Sequence, residues 1–433
     1  MQSNRLRVLE ILEHAYVVAA LFFLTQGPVY RLWEPSSTVV TTSPQPSIPH
    51  VYFATFAAIQ LPAVLLVARS WQVSCWRRFT PWFLTMFLAW LGLTVIWSTF
   101  ARQSLPEYVA LLCSSAFGVY LGTRFGSRAM WRVVAAAMAI GLALSVYSVW
   151  REWPGSTSST DGYWIGIYFN RNSLAPVAAT ALIAGVALWF GSHRASRRTE
   201  RGLVIVLMAV SLVVLWQSRS QTSPFALLVC VVFVLVVLTL RAIPRRGAFA
   251  RRWWTPSGVA MLLVSIGVFI VMWSIRGTSV SAELSTFNSR SGLWSLSWSG
   301  FQMKPWHGWG WFAAWYTPDF FDQGVWWNLW RTTWSHNGYH DLLLGGGIPA
   351  AALFALFVLS ALHSGDNLAL PEAVPRWMMA SFVLAAATQE SFFVGSHFLW
   401  VLFVASLISS INCHRSSVDQ DDPTKLSPAS AEC

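Results

Sequence analysis

Apolar runs of about twenty residues recur along this chain, parted by short charged or polar breaks, and that rhythm leaves little choice of fold. Runs long enough to span a bilayer fall near 12 to 26, 50 to 68, 80 to 98, 105 to 123, 129 to 150, 173 to 191, 202 to 217, 222 to 240, 256 to 274 and 339 to 362. Two more, near 376 to 389 and 391 to 411, are separated only by Gln389 and Glu390. In lipid such a segment satisfies its backbone groups internally as a helix. With 55% of 433 residues hydrophobic and 11% charged, no water-soluble core of this size could hide the apolar side chains. The expected fold is an all-α integral membrane domain over residues 1–415, with about twelve transmembrane helices. Residues 416–433 read as a disordered cytoplasmic tail. The first run contains Glu13 and His14 and has no clear small-residue cleavage site, so it reads as a first helix rather than a signal peptide.

Basic residues set the orientation, because short basic loops stay on the cytoplasmic side. With the amino terminus inside, 20 of the 29 lysines and arginines fall on internal segments, including the clusters Arg194 to Arg201 and Arg241 to Arg252. The remaining nine are Arg31, Arg102, Arg151, Arg171, Arg219, Arg276, Arg290, Lys304 and Arg331. The net charge of +11 is thereby explained by anchors beside acidic headgroups, and no nucleic-acid partner is expected. The five cysteines form no CxxC pair and none falls in an external loop, which argues against a disulfide framework or a zinc site.

Two segments break the rhythm. Arg151 to Asn172 is polar and ends in YFNRNSLAP; about 275 to 338 is the largest hydrophilic piece, an external loop between the ninth and tenth helices. The tryptophans of that loop, among them Trp306, Trp309, Trp311, Trp315, Trp326 and Trp327, suit a segment lying at headgroup level.

Arginines on the side depleted of positive charge each need a local reason. Arg219, in LWQSRSQTS, occupies a tight turn and reads equally as a solvated turn residue or as a ligand for an anion at the membrane face. Arg290, in FNSRSGLW, opens a short helix and divides in the same way between surface charge and ligand. Arg171 lies between Asn170 and Asn172, where asparagine caps on the following helix compete with a binding role. His336 stands where the long loop meets the tenth helix, either a polar interfacial residue or a general base. His340 shares its face, but no third ligand follows at metal-site spacing, so neither a metal nor a cofactor is expected. Arginines and a histidine at an external face suit a lipid diphosphate sugar: the guanidinium forks bind the diphosphate and the imidazole deprotonates an acceptor hydroxyl.

The order NRNSLAP, SRSQT, SRSGLW, HGWGW and SHNGYHDLLLGGG resembles the bacterial O-antigen ligase and polymerase superfamily across roughly residues 160 to 410. The resemblance implies a GT-C-like membrane fold with a large external loop before the last three helices. It also implies a His-Asn pair, here His336 and Asn337, followed by an apolar stretch and glycine, here Gly345 to Gly347. By the same likeness Arg219 and Arg290 hold the diphosphate of an undecaprenyl-linked glycan, His336 activates the acceptor, and Glu390 stands where similar sequences often carry an acidic residue. Catalytic roles are thus expected for His336, Arg290 and Arg219, and substrate contacts for Arg171, Asn172, Asn337 and Glu390, although a plain turn carboxylate also accounts for Glu390. SRSGLW departs from the apolar residue usual after the arginine, and the amino-terminal third carries no motif.

The expected activity is metal-independent, inverting transfer of a glycan from undecaprenyl diphosphate to an acceptor hydroxyl on lipid A core or a similar acceptor, outside the bacterial cytoplasmic membrane. Polymerisation of lipid-linked repeats is the alternative. A lipid-linked glycan flippase would instead place its charges near the bilayer midplane.

Overall fold

The computed structural model describes residues 2–33, 50–70, 79–190, 198–243, 255–274, 288–317, 334–391 and 397–409. Among these residues the chain is helical, with one isolated antiparallel bridge between Thr157 and Trp164. The order is α1 (Gln2–Leu24), α2 (Gly27–Trp33), α3 (His50–Ser70), α4 (Phe79–Thr94), α5 (Ala101–Arg124), α6 (Ser127–Trp150) and α7 (Arg171–Phe190). Then follow α8 (Arg198–Ser218), α9 (Thr222–Ala242), α10 (Pro256–Ser274), α11 (Asn288–Met303), α12 (Gly338–Gly365), α13 (Leu370–Ala386) and α14 (Phe398–Ile408). Every apolar run of the sequence contains a helix, and α5, α6, α7, α8, α9 and α12 are long and apolar enough to cross a membrane by length and composition.

A helix that is apolar all round can be enclosed by others or face lipid. Here α7 and α14 are enclosed: α7 is buried almost continuously from Leu174 to Leu188, and every residue of α14 is buried. The alanines of α7 let α6 and α8 approach it closely. On α5, Gly118 and Gly122 form a GxxxG step against α14. A Cβ at either would stand 2.7 Å from the Val401 carbonyl oxygen or 2.6 Å from that of Ala405. The outer helices keep large apolar side chains exposed, such as Leu61 and Leu65 on α3, Leu203 and Trp216 on α8, and Leu228 and Leu235 on α9. Such a surface is stable against hydrocarbon and not against water.

The two ends of the bundle differ in their charges. At one end Arg124 pairs with Glu13 at 2.7 Å, and Arg128 and Arg132 share Glu200 at 2.8 and 2.9 Å. At the opposite end of α5 and α8 lie the 151–170 loop and α11. Arg31 reaches that loop from α2, donating to the carbonyls of Pro154 at 2.8 Å and Gly166 at 2.7 Å. Its local reason is structural, and burial lowers its guanidinium below the ordinary arginine value.

In the stretch from Lys304 to Thr317 the tryptophans are unevenly exposed. Trp309, Trp311 and Trp315 are only 3%, 0% and 4% exposed, whereas Trp306 is 67% exposed. The reason is a slot opened by α12, which kinks at Gly347 (φ 67°) just before Pro349. The kink frees a carbonyl and an amide, and the 305–309 stretch pairs with both: Trp309 N donates to Leu344 O at 2.8 Å, and Ile348 N donates to Pro305 O at 2.8 Å. Trp90 Nε1, from α4, donates to Gly346 O at 2.7 Å. This backbone contact leaves no room for side chains, since a Cβ on Gly308 would meet Gly345 O at 2.6 Å and one on Gly347 would meet Trp306 O at 2.6 Å. Trp326, Trp327, Arg276, Arg331 and the carboxyl-terminal tail lie outside the described residues.

Candidate active site

Five segments meet at the end of the bundle that carries α11: the starts of α7, α11 and α12, the α8–α9 turn, and the stretch after α13. Backbone chemistry brings the last of these to α12. The first helical amide of α12, on Gly338, donates to Ala387 O at 2.8 Å, and Tyr339 Oη donates to Leu384 O at 2.7 Å. Residues flanking these bonds, His336 on one side and Glu390 on the other, are thereby held face to face.

Glu390 is the hub. Its Oε1 accepts from Arg290 Nη2 at 2.8 Å, and its Oε2 stands 3.0 Å from His336 Nδ1. Arg290, in the first turn of α11, also donates Nη1 to the Gln389 carbonyl at 2.6 Å. Among the described residues two of the five guanidinium N–H groups are thus engaged and three remain for a ligand. Asn172 Nδ2 donates to Glu390 Oε1 at 3.4 Å, its Oδ1 accepts from Ser220 Oγ at 2.9 Å, and Thr222 Oγ1 donates to Gln389 Oε1 at 3.1 Å. Of these, the Arg290–Glu390 bond joins two charged groups, and charge-assisted bonds contribute roughly 1.5–3 kcal/mol each.

The proton on His336 matters. Trp334 Nε1 lies 3.1 Å from His336 Nδ1, on the same nitrogen that faces Glu390. The indole N–H only donates, so it needs Nδ1 unprotonated, whereas the carboxylate needs Nδ1 to carry a proton. One tautomer satisfies one neighbour. With the proton on Nδ1, directed at Glu390, Nε2 becomes the free acceptor that proton abstraction requires.

The sequence candidates divide as follows. Arg290, His336, Glu390 and Asn172 form one hydrogen-bonded network. Arg219 is joined to it only through its neighbour Ser220; its own guanidinium is exposed and donates to Asp161 O at 3.3 Å. Arg171 stacks over Tyr163, 4.8 Å from the ring centroid. The helix-capping role falls to Asn170, whose Oδ1 accepts from Ser173 N at 2.9 Å, and leaves Asn172 to the network. Asn337 is the N-cap of α12: its side-chain oxygen accepts from Tyr339 N at 3.1 Å and His340 N at 3.3 Å, a structural use that the expected substrate contact did not include. Glu390 is no isolated turn carboxylate, since it holds two partners at once. The residue that the sequence reading passed over is Asp341, buried beside the network; its position one turn past Asn337 was the only signal.

No curated protein matches the chain. A family model described as O-antigen ligase matches residues 204–355, a stretch that includes Arg219, Arg290 and His336 and ends before Glu390. Residues 204–355 are thus similar to the O-antigen ligase family, within a chain whose described residues include six helices long and apolar enough to cross a membrane.

Proposed function

We propose that the protein is an inverting glycosyltransferase that moves a glycan from a polyprenyl diphosphate, undecaprenyl diphosphate by the resemblance, onto an acceptor hydroxyl at the external face of the cytoplasmic membrane, its chain crossing the bilayer about twelve times. The observation that carries this reading is the chain Arg290–Glu390–His336, which presents a polarised imidazole beside a guanidinium with free donors. His336 Nε2 takes the proton of the acceptor hydroxyl while Glu390 stabilises the imidazolium through Nδ1. The acceptor oxygen attacks the anomeric carbon as its bond to the diphosphate oxygen breaks, a single displacement that inverts that carbon. The departing polyprenyl diphosphate carries the developing negative charge, and the free N–H groups of Arg290, with Arg219 and Arg171 nearby, stabilise it without a metal ion. Asn172 holds Glu390 in place from the start of α7.

The acceptor distinguishes a ligase from a polymerase, and lipid A core is the acceptor we favour. The test is a transfer assay in nanodiscs with the undecaprenyl-diphosphate glycan extracted from the source membrane, offered lipid A core or only further copies of the donor. Product on lipid A core supports a ligase; longer lipid-linked chains alone assign a polymerase. No covalent transfer to either, with transbilayer movement of the donor, refutes the enzyme reading.

A further inference from the structure

Outside the residues given roles above, Asp341 is the charged side chain most completely enclosed near the site, 6% exposed on the first turns of α12. Its two oxygens collect donors from three separate segments. Oδ1 accepts from Ser335 N at 2.9 Å and from Trp315 Nε1 at 3.0 Å, and Oδ2 accepts from Ser391 Oγ. Ser335 immediately precedes His336, and Ser391 immediately follows Glu390. Trp315 belongs to the wedge packed against the α12 kink. A single carboxylate therefore grips both strands of chain that carry the imidazole and its carboxylate partner.

We infer that Asp341 is a positioning residue for the transfer reaction: by tying Ser335 to Ser391 it sets the separation and angle between His336 and Glu390. The inference rests on the reading of His336 as the base. Three donors converge on this site, and a carboxylate has acceptor capacity for all of them, whereas an apolar side chain would take this acceptor from the buried Ser335 amide. His336 sits on left-handed backbone, so the anchor on the preceding amide bears directly on where its ring points. The wedge enters the same grip through Trp315, which couples the fit of the HGWGW stretch to the geometry of the base.

The experiment compares steady-state transfer of the extracted undecaprenyl-diphosphate glycan by wild type, Asp341→Ala, Asp341→Asn, Ser391→Ala, Glu390→Gln and the double variant Asp341→Ala with Glu390→Gln. Asp341→Ala is expected to lower kcat about a hundredfold while the KM for donor stays near wild type, because misplacing a reacting group by about 1 Å has that effect. Asp341→Asn should restore most of the rate, since the amide oxygen can accept from Ser335 and Trp315 and the amide nitrogen can donate to the Ser391 hydroxyl. In the Glu390→Gln background the alanine change should add little, as expected of two residues acting through one imidazole. A purely structural role would show as multiplicative losses and a reduced yield of folded protein. If Asp341→Ala does not fold, Ser391→Ala removes one tether alone and should lower kcat about tenfold. Wild-type kcat in Asp341→Ala or Ser391→Ala, with His336→Ala inactive, would overturn the inference and leave the assignment of His336 standing; an active His336→Ala would instead remove the reading beneath it.

Discussion

Arg219 and His336 both stand on left-handed backbone, at φ 49° and 53°. That conformation costs a residue bearing a Cβ roughly 1–2 kcal/mol, and a fold retains it where the surroundings over-determine it. At His336 they do, because Ser335 Oγ donates to Asn337 O at 2.7 Å while accepting from Asn337 N at 3.0 Å, closing the turn around the histidine. At Arg219 the turn is held by Arg219 N donating to Trp216 O at 3.2 Å and by the contact to Asp161. Arg219→Gly should therefore be more stable than Arg219→Ala by about 1 kcal/mol, read as a higher melting temperature in detergent, with transfer reduced in both. Equal melting temperatures would contradict the strain. Arg219, Arg290 and His336 stood out as candidates because each sits in a short polar motif between apolar runs. Glu390 was named only through the resemblance, and its partners were not legible, for a physical reason: it meets them across 54 and 100 residues of chain, and no local pattern records that encounter. Asp341 was not singled out at all: it lay inside the apolar pattern of α12, where only the folded chain shows which donors surround it.

Among the elements, α12 links site to scaffold. Its capped start carries His336 and its glycine kink receives the tryptophan wedge. Gly347→Ala should destabilise the protein by more than about 2 kcal/mol, because the new Cβ would enter a left-handed residue already in contact with two carbonyl oxygens. Gly202→Ala, at a position inside α8 with open space, should leave the melting temperature unchanged or raise it. A similar melting temperature for both variants would mean that the wedge does not hold the kink. The helices themselves were readable from the apolar runs, since a run of that length and composition has one stable backbone solution in lipid. The kink was not, because glycine and proline inside an apolar run do not announce what will pair with the freed backbone groups. Burial of Trp309, Trp311 and Trp315 followed from that slot, and no local pattern announced it.

For the molecule as a whole, the proposed orientation rests on the difference between its two ends. Arg124, Arg128 and Arg132 lie at one end with their acidic partners, and the Arg290–Glu390–His336 network lies at the other. In a variant stripped of its native cysteines, a membrane-impermeant maleimide added to intact spheroplasts should label Ser159→Cys in the 151–170 loop and leave Thr199→Cys unlabelled until lysis. The reverse pattern would put the site in the cytoplasm and contradict the proposed orientation. The measurement that reaches the central claim most directly is glycan transfer from the extracted undecaprenyl-diphosphate donor by purified protein in nanodiscs containing EDTA, comparing wild type with His336→Ala, Arg290→Ala and Arg290→Lys. The account predicts transfer by wild type in EDTA, a loss of roughly 10²–10⁴-fold in His336→Ala, and little recovery in Arg290→Lys because an ammonium cannot reproduce the fork shared by Gln389 and Glu390. Undiminished transfer by His336→Ala and Arg290→Ala, with the protein folded, would contradict it.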